Sequence, residues 1–199
     1  MPHTDDLTAR KAAVRTLVRS RRRALIMPDP SLAALRARRL LELPELADLP
    51  PGSTVACYLA VGREPGTAAL IEALTGRGLR VLLPVVRPDL DLDWALESPE
   101  RAAGLGPGVP EPTGPRLGVD AIADAAVVIT PALAVDRRGR RLGQGGGSYD
   151  RALARRRPDA FVVALLHDGE IWDDDLPADA RDQLVHAAVT PHETARFTG

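Results

Sequence analysis

Leu7, Val14, Leu17, Val18 and Leu25 recur at helical spacing and predict an amphipathic helix from about Leu7 to Ile26, ended by Pro28 and Pro30. At about 100° per residue, Lys11, Arg15, Arg19 and Arg22 share one narrow sector of this helix. The sector borders the apolar stripe instead of opposing it, so its cations are placed to line a cleft. Arg10 and Arg21 drift toward the apolar side, which keeps a plain solvated cationic face as the alternative. Ser31, directly after Pro30, is the expected N-cap of a second helix that runs to about Leu41.

Beyond the Pro50-Pro51-Gly52 break the pattern turns β-like. Thr54 to Leu59 has the β-branched and aromatic character of a strand, Thr67 caps a helix ending near Gly76-Arg77-Gly78, and Leu79 to Val86 is a near-continuous apolar run. Such a run marks a strand covered on both faces, and strand, helix, strand favours a parallel pair with a right-handed crossover. Arg87 to Val119 is rich in proline, glycine and acidic residues and reads as a long loop with room for one short strand. Trp94 lies within it, as a pocket wall or as core. Ala126 to Thr130, Ala160 to Leu166 and His186 to Thr190 are the remaining expected strands, with a helix over Ser148 to Arg156. This alternation predicts one domain over 1–199 of three-layer α/β/α type, with a mostly parallel, Rossmann-like sheet.

The composition narrows the classes of function. Of 199 residues 45% are hydrophobic and 27% charged, as in soluble globular chains. No apolar run approaches the roughly 20 residues of a membrane helix, so no membrane span is expected. The polar and basic N-terminal segment lacks the apolar core of a secretory signal, and the cytoplasm is the expected location. Cys57 is the sole cysteine, which rules out an intrachain disulfide and a Cys/His zinc set. A net charge of -1 argues against the broad basic surface of nonspecific nucleic-acid binding. Among 26 basic residues Lys11 is the only lysine, which singles out a compact ammonium where guanidinium forks are otherwise the rule.

The chemistry concentrates in Arg140-Arg141-Leu142-Gly143-Gln144-Gly145-Gly146-Gly147-Ser148-Tyr149-Asp150-Arg151, between a buried strand and a helix. Glycines let a backbone pass through positive φ and aim several N–H groups at one anion, and a following helix directs its positive end there. Arg141 adds a fork matched to phosphate oxygens. The spacing is not that of a P-loop, and Ser148 occupies the third glycine position of the dinucleotide pattern. A mobile glycine loop is the competing reading. Asp150, in the first helical turn, is placed to hold magnesium against a bound phosphate, or simply to complement the helix N-terminus. Asp173-Asp174-Asp175, Asp179 and Asp182 form a second carboxylate group, and any one of them reaching Asp150 suffices for such an ion.

Four blocks resemble the 5-formyltetrahydrofolate cyclo-ligase (methenyltetrahydrofolate synthetase) family over nearly the whole chain. They are Lys11-x3-Arg15; Tyr58 followed by Glu64-Pro65-Gly66-Thr67; Pro131 to Asp136 leading into Arg141 to Arg151; and Leu176-Pro177 with Asp182 and Val189-Thr190. The resemblance implies ATP- and magnesium-dependent cyclisation of 5-formyltetrahydrofolate to 5,10-methenyltetrahydrofolate. It implies that Lys11, Arg15, Arg141 and the stretch Gly143, Gln144, Gly145, Gly146, Gly147, Ser148 hold ATP together with Tyr149 and Asp150. It further implies that Asp150 and Asp182 carry Mg2+, that Tyr58, Glu64 and Tyr149 face the reduced folate, and that Arg141, Tyr149 and Asp150 are catalytic. No nucleic acid or membrane partner is implied, and a monomer is expected. The family usually has a tyrosine where this chain has Ser148, a histidine at Arg181 and an aspartate at His186. Those departures leave room for a divergent ATP-binding protein of the same fold without folate turnover.

Overall fold

The structure is a computed structural model that describes residues 3–26, 29–105 and 110–197, the side chains of 3–5 excepted; the predicted stop at Pro28 lies outside the described residues. The chain opens with helices α1 (His3–Ala24), α2 (Pro30–Leu41) and α3 (Pro44–Ala47). Strand β1 (Thr54–Cys57), helix α4 (Ala68–Gly76) and strand β2 (Arg80–Val86) follow. Next come β3 (Leu92–Leu96), β4 (Arg101–Ala103), β5 (Pro110–Pro112) and a 3-10 turn at Val119–Asp124. Strands β6 (Val127–Pro131), β7 (Ala134–Asp136) and β8 (Arg141–Leu142) lead into α5 (Ser148–Ala154). The chain closes with β9 (Phe161–Leu165), β10 (Ile171–Trp172), β11 (Ala187–Val189) and β12 (Thr194–Arg196).

Seven strands form the main sheet in the order β12-β11-β9-β6-β1-β2-β3, parallel through its centre and antiparallel at both edges, where β12 meets β11 and β3 meets β2. Every central strand is buried on both faces, which explains its uninterrupted apolar text. Alternation still decides direction. Cys57, Leu83, Ile129 and Leu165 face Leu40, Leu46, Leu70 and Leu74 from α2, α3 and α4, whereas Ala56, Leu82, Val128 and Ala164 face Leu153 of α5, Ile122 and Trp94. The three-layer α/β/α arrangement with a mostly parallel sheet is therefore the observed fold.

Four details differ from the sequence reading. Asp29, not Ser31, caps α2: its carboxylate accepts from the Leu32 amide at 3.1 Å, because Pro30 is favourable as a first helical residue and shifts the cap before it. Thr67 stands before α4 without a side-chain cap bond and spends its hydroxyl on the Ala60 amide at 3.2 Å. The segment after Arg87 is not one loop: β3 forms an edge of the main sheet, β4 pairs with β5, and Trp94 is fully buried core. His186 to Thr190 is not the last strand either, since β12 follows it.

Helix α1 is not a layer of the sandwich. It packs Val14 and Val18 on Leu133, Ala134, Leu142 and Leu176, over a small sheet of order β10-β7-β8. That small sheet is organised by one buried carboxylate. Asp136, with no exposed surface, accepts from the amides of Arg138 and Arg140 at 2.9 and 3.0 Å and from that of Leu176 at 2.9 Å. The first two bonds close the β7–β8 turn and return the chain to Arg141; the third brings the 176–183 segment alongside. Asp136→Ala strands the buried Leu176 amide, at a cost of about 1–3 kcal/mol, and removes the acceptor of two partly buried turn amides. Urea unfolding is expected to show a loss of several kcal/mol, with Asp136→Asn intermediate because its amide cannot accept from Leu176.

Candidate active site

A cleft of ≈ 820 Å³ opens at the carboxyl ends of the parallel strands, between Tyr58-Leu59 after β1, Pro84 and Val86 of β2, and Pro131-Ala132 after β6. Chain order runs outward from β1 to β2 on one side and through β6 and β9 on the other, so the cleft sits at a topological switch point. Lys11, Arg15, Tyr58, Glu64, Arg141, Gly143, Gln144, Gly145, Gly146, Gly147, Ser148, Tyr149, Asp150 and Asp182 all line it. The fold thus brings together the residues to which the family resemblance assigns a role.

The glycine loop needs its glycines at two positions above all. Gly145 and Gly147 have φ of 113° and 69°, and a Cβ on Gly145 would stand 3.4 Å from the Arg15 guanidinium carbon. Helix α1 holds this loop: Arg15 Nε donates to the Gly143 carbonyl at 3.0 Å, and Arg19 donates to the carbonyl and side chain of Gln144, each at 2.9 Å. The cationic sector therefore divides. Lys11 and Arg15 reach the cleft, Arg19 grips its rim, and Arg22 turns into the core to pair with Glu170. Helix α5 is only seven residues long. So short a helix adds little dipole, and the positive groups that α1 and β8 bring to the cleft are Lys11, Arg15 and Arg141.

Each of two cations is matched to carboxylates of the same cleft. Arg141, its side chain 2% exposed, pairs with Asp150 at 2.7 Å, and the Gln183 amide also points at Asp150 from 3.4 Å. Lys11 bridges Asp182 at 2.6 Å and Asp179 at 2.9 Å, while the Asp179 amide donates to Asp182 at 2.7 Å. Burial works against the Lys11 charge, but the two carboxylates prevail and raise its pKa. The same hydrogen bond from Lys11, with the Arg181 amide, brings Asp179 down to about 2. Asp173 and Asp175 instead pair with Arg137, Arg138 and Arg140 elsewhere on the surface. Asp179 was one of several interchangeable carboxylates in the sequence, and its i, i+3 spacing to Asp182 is the signal that ties the two.

On the opposite wall, Tyr58 is buried and its hydroxyl donates to the Pro65 carbonyl at 2.5 Å, so that group holds a loop. Glu64 accepts from the Val61 amide at 3.1 Å, and burial raises its pKa. The Tyr149 ring lies 5.9 Å from the Arg141 guanidinium carbon. Its hydroxyl and Arg141 Nε are buried without a hydrogen-bond partner among the described residues, as donors awaiting a ligand acceptor would be. Trp94 takes no part in the cleft, whose remaining apolar lining, such as Leu59, Val86 and Leu92, is aliphatic. His186 stacks on Phe161 at 5.6 Å and accepts from the Val162 amide at 2.8 Å, away from the cleft. Among the described residues no three His, Cys, Asp or Glu side chains gather as an all-protein metal site. Asp150 and Asp182 still fit magnesium, which typically takes one or two carboxylates and completes its shell with phosphate and water.

A glycine-lined cleft of paired cations and carboxylates at the carboxyl ends of a parallel sheet defines the class: an α/β protein with its site at the topological switch point. Residues 7–191 match the family model of the 5-formyltetrahydrofolate cyclo-ligase family, and the chain belongs to that family. It is 42% identical over 145 residues to a 5-formyltetrahydrofolate cyclo-ligase of Mycolicibacterium smegmatis, covering 70% of this chain and 74% of that one. With its Escherichia coli counterpart it shares 33% over 182 residues, 88% of this chain and 97% of the other. A solved 5,10-methenyltetrahydrofolate synthetase from Aquifex aeolicus superimposes with a TM-score of 0.78 at 26% identity, covering 95% of this chain and 93% of that one.

The Lys11 bridge makes a titration test. Asp179 in the folded chain ionises at about 2, below its ordinary 3.8, so its contribution to stability is complete above 3.8 and is lost as pH falls through 2. Lys11→Met is expected to return the Asp179 titration, followed by carboxyl NMR shifts, toward the ordinary value.

Proposed function

We propose that the chain catalyses ATP-dependent conversion of 5-formyltetrahydrofolate to 5,10-methenyltetrahydrofolate, with release of ADP and phosphate. What carries this reading is the convergence, in one cleft of a cyclo-ligase family chain, of the Gly143–Gly147 loop, three cations and two carboxylates facing Glu64 and Tyr149. The chemistry explains the pairing of an anion site with a folate site. A formamide oxygen is a poor leaving group, so it takes the γ-phosphoryl group of ATP. N10 then bonds to the formyl carbon and loses its proton, and the oxygen leaves as phosphate. Such a reaction asks the protein chiefly for positioning and for charge opposite the phosphoryl oxygens.

In this reading Lys11, Arg15, Arg141 and the loop amides hold the phosphates, and Asp150 and Asp182 carry Mg2+, which would neutralise phosphate charge. Glu64 accepts from the pterin, and its raised pKa suits a carboxyl half-buried against a ring of amide donors. Tyr149 packs on the substrate, and its unpartnered hydroxyl finds an acceptor there. The Arg141–Asp150 and Lys11–Asp182 pairs then have a second meaning. Each cation exchanges its carboxylate for phosphate, and each carboxylate is released to the metal, so nucleotide and magnesium bind as a unit. We also propose that the enzyme acts as a monomer in the cytoplasm.

A second reading, an ATP-binding protein without folate turnover, draws on Ser148 and Arg181, which both line the cleft where the family usually has Tyr and His. One assay separates the two: appearance of the methenyl absorbance band on mixing protein, Mg-ATP and 5-formyltetrahydrofolate. Product is expected; its absence at high enzyme concentration, with ATP still protecting against heat, selects the second reading. Arg141→Ala is expected to lower kcat/KM by about 10²–10³-fold, the loss typical of one transition-state charge donor. Asp150→Asn should weaken Mg-ATP binding yet strengthen that of metal-free ATP, as read by calorimetry, because Arg141 loses its competing carboxylate.

A further inference from the structure

Behind the Glu64 loop lies a buried polar chain that none of the roles above uses. Arg22, His167 and Glu170 are each no more than 5% exposed, and Arg36 is 1% exposed. Arg22 grips Glu170 with a two-pronged bond, Nε at 2.7 Å and Nη2 at 2.8 Å, and Nη2 also donates to the Ala132 carbonyl at 2.6 Å. Glu170 in turn accepts from the His167 amide at 2.8 Å. The imidazole faces a guanidinium on one side, with Arg36 Nη1 at 3.5 Å from Nδ1, and a carbonyl on the other, with Nε2 at 3.1 Å from the Arg63 oxygen. A guanidinium only donates and a carbonyl only accepts, so the ring is neutral and carries its proton on Nε2. Burial lowers the His167 pKa, consistent with that form.

The chain ends at Arg63, the neighbour of Glu64. Arg63 is also fastened in the other direction: Nη1 donates to the carbonyls of Arg22, in the last turn of α1, and of Leu25, just beyond it, at 3.0 and 2.8 Å. None of the residues of the loop tip from Val61 to Glu64 is buried, and its other fastenings are also polar: Glu64 bonds to the Val61 amide and to Gln144, and the Tyr58 hydroxyl holds the neighbouring Pro65 carbonyl. Its position is therefore set by hydrogen bonds, and two sets of them tie it to the rest of the fold behind the cleft: one to its backbone from His167 and one pair from the Arg63 side chain to the carboxyl end of α1, the helix that bears Lys11 and Arg15. A buried ionic chain is seldom the most stable filling of such a space, and its value lies in holding one geometry.

We propose that His167 and Arg63 are positioning residues for the folate half of the reaction, fixing where Glu64 stands relative to the phosphate loop. The inference rests on the cyclo-ligase reading. It is tested in the full-length protein by separate KM values for 5-formyltetrahydrofolate and Mg-ATP. Arg63→Met, which keeps an apolar stem and sits at an exposed site, and His167→Leu are each expected to raise the folate KM about fivefold or more while the ATP KM stays within about twofold. His167→Gln, whose amide can donate to the Arg63 carbonyl, is expected to restore the wild-type folate KM. Equal rises in both constants, or no rise with Arg63→Met, overturn the proposal, and Arg63→Met decides the matter even where His167→Leu does not fold. Lack of product with the wild-type chain instead overturns the reaction itself. In that event the positioning claim is read from thermal shifts, where Arg63→Met should lose the 5-formyltetrahydrofolate shift and keep the ATP shift.

Discussion

The Asp136 carboxylate, sealed from solvent and saturated by three backbone amides, is the constraint on which the cleft depends. A buried charge of this kind persists only where donors surround it. Those donors come from the β7–β8 turn and from Leu176, segments forty residues apart in the chain. Satisfying the charge therefore aligns two stretches that otherwise share little. One carries Arg141 and the glycine loop, the other Asp179 and Asp182. Helix α1 then covers both through Val14 and Val18 and sets Lys11 and Arg15 over the loop.

The main sheet contributes a different kind of order. Its two apolar faces fix the strands, and the switch in strand order at β1 and β6 leaves a crevice that helices do not fill. Chemistry is kept at the rim of this core, in pairs whose carboxylates stay partly exposed and so can pass to another partner. Arg141–Asp150 and the Lys11 bridge are of that type. Arg22–Glu170 is not, because removing either partner leaves an uncompensated charge in the interior.

The central strands were legible because double-sided burial writes long apolar runs, and the glycine loop because few other arrangements need so many residues without Cβ. The small sheet was not. Its strands are two or three residues long, and β7 ends on Asp136, a charged residue that reads as surface until its three donors are seen. β3 was hidden in the same way: Asp93 interrupts it, yet that carboxylate accepts from the Trp94 and Gly118 amides at an edge. The cationic sector of α1 was correct as a face and undetermined in depth. No local pattern tells Arg15, which meets a loop carbonyl, from Arg22, whose partner lies 148 positions away. Gathering of the site residues in one cleft was foreseen; the in-house neutralisation of Lys11 and Arg141 was not, since it depends on distances between four separate segments.

The placement of α1 outside the sandwich has a consequence for how the molecule comes apart. This helix holds to the body through a few aliphatic contacts on a three-stranded sheet and through polar bonds from Lys11, Arg15, Arg19 and Arg22 and the Arg63 clamp, while the strands of the main sheet are locked by two full cores. Amide exchange should accordingly divide the chain into a slow unit, the main sheet, and a fast unit that includes Lys11 and Arg15. Catalytic competence is then a property of the weaker unit. Loss of the α1 unit on warming would dismantle the cleft while the sheet is still folded, and a ligand that bridges α1 and the glycine loop would oppose that loss.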